Sequence, residues 1–434
     1  MFTLGLPFKP WTSNKSIANG KAIYEYIKET AEEFDIYPNI QFNSRVRHAE
    51  WSSEERIWKI HRYDTETDTA TVITAKFVIF CSGYYDYDQG FQPKIPGMDE
   101  YQGKWIHPQS WPEDFDYSGK KMVVIGSGAT AVTLLPNLAQ KAKHVTLLQR
   151  SPSYFVSLQN SERKSFLAYL LPTLVFHTLF RFFLALRSYG FYWFCKGFPR
   201  LSRWILRRMT KQQLPERIGL DPHFAPNYNP WDQRICLVPD GDMFKALRDG
   251  NADIATGQIK KVVCNGIQLK DGQELEADVI VCATGLNMKF FGGCNLIVDS
   301  EKVELPQHYL YRGQFLSDVP NLSLCFGYTN ASWTMGSDAC AQTVTRLLNE
   351  MAARNISHVS AQAPNIPLED SLPLSPLTSG YFTRAHKIMP RSAGKLEGGA
   401  WGMKGNWFFD IYWAKYGDLF KHMNVSYAPR TKSA

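Results

Sequence analysis

The run Lys121–Ser151, KMVVIGSGATAVTLLPNLAQKAKHVTLLQRS, limits what this chain can fold into more than any other stretch. It opens with Met122–Ile125, a short apolar run that predicts a buried parallel strand. Gly126-Ser127-Gly128-Ala129-Thr130-Ala131 follows and fits the G-x-G-x-x-G/A dinucleotide pattern. Each small residue has a physical task there. Gly126 allows a sharp turn, Gly128 allows backbone to approach a pyrophosphate, and Ala131 allows the helix to pack close to the strand. Val132, Leu135 and Leu138 then predict one apolar helix face. The start of that helix offers free N–H groups and a positive dipole end to phosphate. A second strand, His144–Leu148, leads into Gln149-Arg150-Ser151.

That ending selects between nucleotides. An NAD site usually carries an acid about 20 residues past the glycines, for the ribose 2′-hydroxyl. No carboxylate stands here, and Arg150 suits a 2′-phosphate through a charge-assisted contact. The expectation is NADP. A glycine pattern alone also fits a plain turn with no ligand. Strand, glycines, helix, second strand and terminal arginine within one ~30-residue unit weigh against that.

The chain has 434 residues, a length that suggests two to three domains. Its net charge of +7, from 48 basic and 41 acidic residues, is too small and too spread to point to nucleic acid. The eight cysteines form no C-x-x-C pair and mostly lie in apolar runs. They read as buried, reduced thiols of a cytoplasmic protein and argue against a disulfide reductase. No secretory signal opens the sequence, and no metal-ligand spacing occurs. Ser165–Phe180, SFLAYLLPTLVFHTLF, is uncharged but shorter than the ~20 residues a spanning helix needs. Seven basic residues from Arg181 to Arg208 then interleave with aromatic ones. A helical subdomain packed on the protein is one reading of 165–211. A peripheral membrane contact through a basic amphipathic face is the other.

Elsewhere, Ser16–Phe34 predicts a helix with Ile23, Ile27, Ala31 and Phe34 on its apolar side. Ile40–Thr74 predicts antiparallel strands that carry Trp51 and Trp58. Phe77–Phe80 predicts a buried strand that ends in Cys81-Ser82-Gly83. A near copy follows much later, Val279–Val281 and then Cys282-Ala283-Thr284-Gly285. Such turns let a chain cross close beneath a cofactor. Two of them around one dinucleotide unit suggest a nested architecture. Between the first turn and the glycine loop, His107 is either a general base or a hydrogen-bonding residue of a linker. Arg234 enters the apolar strand Ile235–Val238 from a Pro- and Asn-rich loop. It is either a solvated charge or an anion stabiliser at the edge of a site. Val319–Gly327 predicts another buried strand with a glycine stop. Asp338–Ala352 predicts a helix with Ala341, Val344, Leu347 and Leu348 inward. Asn355–Leu377 reads as a surface loop. The aromatic-dense Trp401–Tyr416 reads as core or as a pocket wall.

Together these residues resemble the class B flavoprotein monooxygenases of the Baeyer–Villiger type. The family signature is Phe-x-Gly-x-x-x-His-x-x-x-Trp-Pro or Asp. Gly103, His107, Trp111 and Pro112 match it, and Tyr101 replaces the Phe. TLGLPFKPWTSNKSIANG, LLQRSPSY, YNPWDQR and GYTNASWT resemble its ethionamide-activating subfamily. The resemblance implies an α/β fold with two nested dinucleotide-binding domains. Residues 1–118 would be the first half of an FAD domain plus a linker. Residues 119–285 would be an NADP-binding Rossmann domain with a helical insertion near 155–225, and 286–434 would complete the FAD domain. It places NADP on Gly126, Ser127, Gly128, Ala129, Thr130, Ala131, Gln149, Arg150 and Ser151. It places Ser82, Gly83, Thr284 and Gly285 in turns beside the cofactors, with His107 and Trp111 in the signature between them. Arg234 matches the active-site arginine, and Gln233 stands where a lysine usually precedes it.

The implied activity is FAD- and NADPH-dependent insertion of one oxygen atom of O2 into ketones, or oxidation of sulfur compounds. The family opens with its own G-x-G-x-x-G for FAD, a Gly-Gly-Thr-Trp stretch and an aspartate that pairs with the active-site arginine. These have no counterpart here, and Met1–Gly5 aligns just after that aspartate. The expectation is an internal methionine or a truncated gene, with the first FAD βαβ unit missing and FAD held poorly. A truncated, inactive remnant that at most binds NADP is the alternative.

Overall fold

The computed structural model describes residues 1–13, 15–160 and 170–429. Its centre is a five-stranded parallel sheet. Across it run Ala252–Thr256, His144–Gln149, Lys121–Ile125, Val279–Cys282 and Lys104–Ile106. The central strands are near-continuous apolar runs because both sheet faces are covered. Met122, Val123, Val124, Val279, Ile280 and Val281 are all buried. Helices Ala129–Leu138 and Asp242–Asp249 cover one face with Val132, Leu135, Phe244 and Leu247. An antiparallel sheet of Ile259–Val263, Gly266–Leu269 and Glu274–Glu276 covers the other with Val262, Ile267 and Leu269.

Phe155–Leu158 is a strand and not the start of a helix, because it pairs in parallel with Cys236–Pro239. The chain between these two strands carries the helices Thr173–Gly197 and Pro199–Lys211. Residues 165–169 of the apolar segment lie outside the described residues.

A second five-stranded sheet holds Glu301–Lys302, Asn295–Val298, Ser44–Ser52, Ile57–Asp64 and Thr69–Ala75. Trp51 and Trp58 face each other across it, ring centroids 5.8 Å apart and both fully buried. The Trp58 indole N–H donates to the carbonyl of Pro320 at 3.1 Å, so the ring is buried without an orphaned donor. Beside this sheet, Val78–Phe80 pairs in parallel with Leu322–Leu324, and the helix Trp333–Ala353 meets that pair through Cys340, whose Sγ lies 3.5 Å from the Leu324 carbonyl.

Four expectations need correction. The helix forms over Gly20–Glu33, but Ile23, Ile27 and Phe34 are exposed and Tyr26 and Thr30 are buried. Tyr26 decides the roll. Its hydroxyl accepts from the Leu6 N–H at 2.8 Å and donates to the Lys9 carbonyl at 2.7 Å, while its ring meets Trp11 edge-on. Ile79 in the predicted buried strand is 45% exposed, because its strand has a partner on one side only among the described residues. Ala341 and Leu348 face outward, since the buried stripe of their helix runs through Cys340, Val344 and Leu347. Within the predicted loop 355–377, Ile356–Ala361 is a strand paired with Met423–Tyr427, which buries Ile356, Val359 and Ala361.

Trp58→Ala should lower stability by about 3–5 kcal/mol, read as a shift of the denaturant midpoint. A change within error would show that the tryptophan pair does not hold this sheet.

Candidate functional site

Two chain crossings join the central sheet to the second one, and they run side by side. Tyr85–Gly90 on the first pairs antiparallel with Leu286–Met288 on the second. The Gly285 carbonyl accepts the Phe91 N–H at 3.2 Å and lies 3.3 Å from His107 Nε2. His107 Nδ1 accepts the Gln109 N–H, so Nε2 carries the proton and donates to Gly285. Thr284 Oγ1 donates to the Phe91 carbonyl at 3.1 Å. His107 is buried and tied at both nitrogens, which makes it a fastener of the crossings and not a free base. Its ring fills the space where a Cβ on Gly90 would lie, 1.9 Å away. Trp111 packs on the core of the central sheet and meets Tyr117 edge-on.

The glycine loop lies against the second crossing. Gly126 has φ 144°, and a Cβ on it would stand 2.3 Å from the carbonyl oxygen of Ala283. Ser127 Oγ donates to the Ser151 carbonyl at 2.8 Å and ties the loop to the end of the next strand. Gly128 is the N-cap of the following helix and makes no side-chain cap, and a Cβ there would meet nothing within 4 Å. Gly128, Ala129 and Thr130 are exposed, while Ala131 is fully buried against the strand. The first N–H groups of the helix therefore open on space, the arrangement that receives a phosphate. Gln149 turns inward, 1% exposed, and its Nε2 donates to the His223 carbonyl and to Thr256 Oγ1. Ser151 is half-buried and Arg150 is exposed beside the open loop. The cradle, the helix terminus and one exposed guanidinium fit a dinucleotide that carries an extra phosphate.

Ser82 and Gly83 lie where the paired strands Val78–Phe80 and Leu322–Leu324 end. In open α/β sheets that is the end where ligands bind. Gly83 has φ 68°, and the buried Ser82 Oγ has no hydrogen-bond partner among the described residues. An orphaned buried hydroxyl at the carboxyl end of parallel strands fits a polar cofactor group.

Arg234 sits where these parts converge. Its Nη2 donates to the Tyr328 carbonyl at 3.1 Å, and its guanidinium carbon lies 5.4 Å from the Trp333 ring. Its Nε is buried without a partner among the described residues. Arg234 also acts on the phenols of Tyr84 and Tyr85, just past the Ser82–Gly83 turn. Burial pushes both phenols up, and the nearby guanidinium partly opposes that. A residue from the loop after the glycine unit thus meets the first crossing and the stretch 328–333.

The stretch GYTNASWT carries the family resemblance, but nothing local in it marks a role for Tyr328 or Trp333. Asp410 was missed entirely and carries no local signal. The Tyr328 hydroxyl donates to Asp410 Oδ2 at 2.7 Å, so Tyr328 bridges Arg234 and a half-buried carboxylate. Burial pushes the Asp410 carboxyl up, against the Tyr328 hydrogen bond and the Lys404 charge. Asp410 also borders a cavity of about 310 Å³ walled by Trp193, Arg312, Asn330 and Phe409.

A family model described as flavin-binding monooxygenase-like matches residues 10–328. The FAD-containing monooxygenase EthA of Mycolicibacterium smegmatis is 46% identical over 420 residues, 96% of this chain and 84% of that protein. EthA of Mycobacterium tuberculosis is 41% identical over 421 residues, 96% of this chain and 85% of that protein. The probable FAD-binding monooxygenase AlmA of Acinetobacter baylyi is 40% identical over 417 residues, covering 94% and 82%. Among solved structures, an oxidized steroid monooxygenase bound to NADP superposes with a TM-score of 0.73 at 18% identity, covering 98% of this chain and 90% of that one. Cyclohexanone monooxygenase with bound ε-caprolactone gives 0.70 at 16%, covering 98% and 89%. The fold is that of these enzymes, an α/β fold with two dinucleotide-binding domains.

Two outcomes are expected. Gly126→Ala forces a positive φ on a side chain and a clash with the Ala283 carbonyl. It should lose nucleotide binding, measured by calorimetry, or fail to fold; unchanged affinity would exclude the contact. Asp410 has a folded pKa above its unfolded value, so between the two the folded state binds more protons. Stability should therefore fall as pH rises through and just above the ordinary carboxylate range. Asp410→Asn should flatten that slope, and an unaltered pH profile of the denaturant midpoint would contradict the burial.

Proposed function

The chain belongs to the flavin-binding monooxygenase-like family, and we propose that this member uses FAD and NADPH to insert one oxygen atom of O2 into a ketone, or to transfer it to sulfur. The observation that carries the proposal is the placement of Arg234 against the Tyr328 carbonyl, the Trp333 ring and the Tyr84–Tyr85 stretch that follows the Ser82–Gly83 turn. On this reading 119–285 is the NADP unit, and 1–118 with 286–434 forms the flavin side. Bound FAD would supply the redox chemistry, accepting hydride from NADPH and activating O2. The chain's own residues bind, orient and shield. Gly126–Ala131 hold the pyrophosphate at the helix N-terminus, and Arg150 holds the 2′-phosphate. Ser82 donates its unpaired hydroxyl to the flavin side.

The Arg234 guanidinium opposes the negative charge that develops on the transferred oxygen. Tyr84 and Tyr85 limit water on one side of it, and the lower dielectric there strengthens that charge contact. Tyr328 holds the guanidinium in place through its carbonyl, and Asp410 in turn fixes Tyr328. The apolar and cationic walls of the neighbouring cavity suit a small carbonyl or sulfur compound. The free cysteines suit a reducing, cytoplasmic compartment.

The test is NADPH oxidation with added FAD, stimulated by an aryl methyl ketone or an aryl methyl thioether, under 18O-labelled O2. One labelled oxygen in an ester or sulfoxide is expected. NADPH oxidation that yields only unlabelled or no organic product would reject the assignment.

Two substitutions divide the roles. Arg150→Ala should weaken NADPH binding by roughly 10- to 100-fold, the value of an arginine–phosphate pair, and barely alter NADH binding. Equal losses for both would place Arg150 outside the site. Arg234→Ala should abolish oxygenated product while NADPH still bleaches the flavin absorbance. Near-normal product from that variant would remove Arg234 from the chemistry.

A further inference from the structure

The helix Thr173–Gly197 has its amphipathicity reversed. Toward the body of the protein it buries His177, Arg181, Ala185, Tyr189 and Cys195. Toward solvent it shows Val175 at 46%, Leu179 at 58%, Phe182 at 50%, Leu186 at 54% and Trp193 at 59% exposure. Their spacing keeps all five on one helical face. The buried side is poorly satisfied. Arg181 Nη1 donates to the Gly5 carbonyl, but its Nε and Nη2 and both His177 ring nitrogens have no partner among the described residues. Burial pushes both groups toward their neutral forms. Water on the outside is thus offered hydrocarbon while polar groups face inward, the opposite of what an aqueous surface favours.

The next helix repeats the pattern. Pro199–Lys211 buries Ser202, Leu206 and Thr210 and exposes Leu201 at 47% and Trp204 at 59%, with Phe198 at 62% in the corner between the helices. Phe182, Phe183, Trp193, Phe198 and Trp204 are each at least half exposed. At 150–250 Å² per ring, these five alone leave roughly 500 Å² of aromatic surface open. Soluble monomers rarely show a contiguous apolar patch beyond a few hundred Å².

Charge selects the occupant. From Leu170 to Lys211 there is no Asp or Glu. Lys196 and Arg207 are paired with Asp232 and Asp221, and Arg203 bonds Asn229. The exposed Arg187, Arg200, Arg208 and Lys211 remain to meet an outside partner. Two copies packed through this face would bring like charges together. A surface with negative headgroups over hydrocarbon satisfies both features at once, and Trp193 and Trp204 suit its interfacial layer. No helix of the described residues is long and apolar enough to cross a membrane, so the contact is in-plane.

We propose that the helices Thr173–Gly197 and Pro199–Lys211 form a monotopic docking face that lies in the headgroup–acyl boundary of an anionic bilayer. Residues Val175 to Trp193 supply the apolar insertion, and Arg200 and Arg208 supply headgroup contacts. Docking here places the catalytic unit on the membrane surface without altering its chemistry.

The experiment is co-sedimentation of the full chain with vesicles of phosphatidylcholine alone or mixed with phosphatidylglycerol, over a salt series. Binding to the mixed vesicles is expected, weakening as salt rises. The double variant Phe183→Ser, Trp204→Ser changes only exposed rings outside the cavity, and its fold is checked by circular dichroism. It should lose binding. Arg200→Gln with Arg208→Gln keeps the apolar face and should weaken binding about 30-fold, since each surface charge contributes about a factor of five. Failure of the native chain to bind phosphatidylglycerol vesicles would overturn the proposal. So would a salt-insensitive dimer that the double aromatic variant dissolves, because a second copy would then be the occupant.

Discussion

The structure depends on one close approach, that of Gly126 to the carbonyl of Ala283. The strands that lead to them, Lys121–Ile125 and Val279–Cys282, are neighbours in register, so both chains leave the sheet at the same level and compete for the same space. A side chain on Gly126 would lie 2.3 Å from that carbonyl, and its absence lets the glycine loop fold over the second crossing. Everything that follows is positioned from this point. Two residues on, Gly285 receives Phe91 and His107 and so fixes the first crossing to the second. The first crossing carries Tyr84 and Tyr85 toward Arg234. The phosphate cradle and the arginine are thus set from one steric allowance.

Around Arg234 the environment is apolar above and polar behind. A guanidinium with a donor to spare is costly to bury, and such a donor persists where a partner arrives during function. The Tyr328 carbonyl and the face of Trp333 hold the cation without neutralising it. A carboxylate in direct contact would have spent that charge. Asp410 instead stands one residue removed, behind the Tyr328 hydroxyl.

What was legible in the sequence was what is local. The glycine unit could be read because strand, turn and helix lie within one short segment. Trp51 and Trp58 could be read because a hairpin brings them together. His107 and Arg234 were visible through a family pattern, yet the tie of His107 to Gly285 spans residues far apart in the chain and left no local trace. Gln149 ends a strand beside Arg150; its Nε2 serves His223 and Thr256, while its buried Oε1 has no partner among the described residues. The helix Gly20–Glu33 was misoriented for a related reason. Apolar periodicity marks a face but not what covers it, and the hydroxyl of Tyr26 outweighed three aliphatic and aromatic side chains. Asp410 was invisible because its meaning comes from a contact with Tyr328 far away in the chain.

The paired crossings also have a mechanical meaning. A single tether between two bodies leaves them free to twist, swing and slide. Two strands joined by the ladder between Tyr85–Gly90 and Leu286–Met288 act as a ribbon. A ribbon bends readily about an axis in its own plane and resists shear along its length, because shear breaks the ladder. The ladder therefore resists sliding of one crossing past the other, and His107 fastens the two into one unit at Gly285.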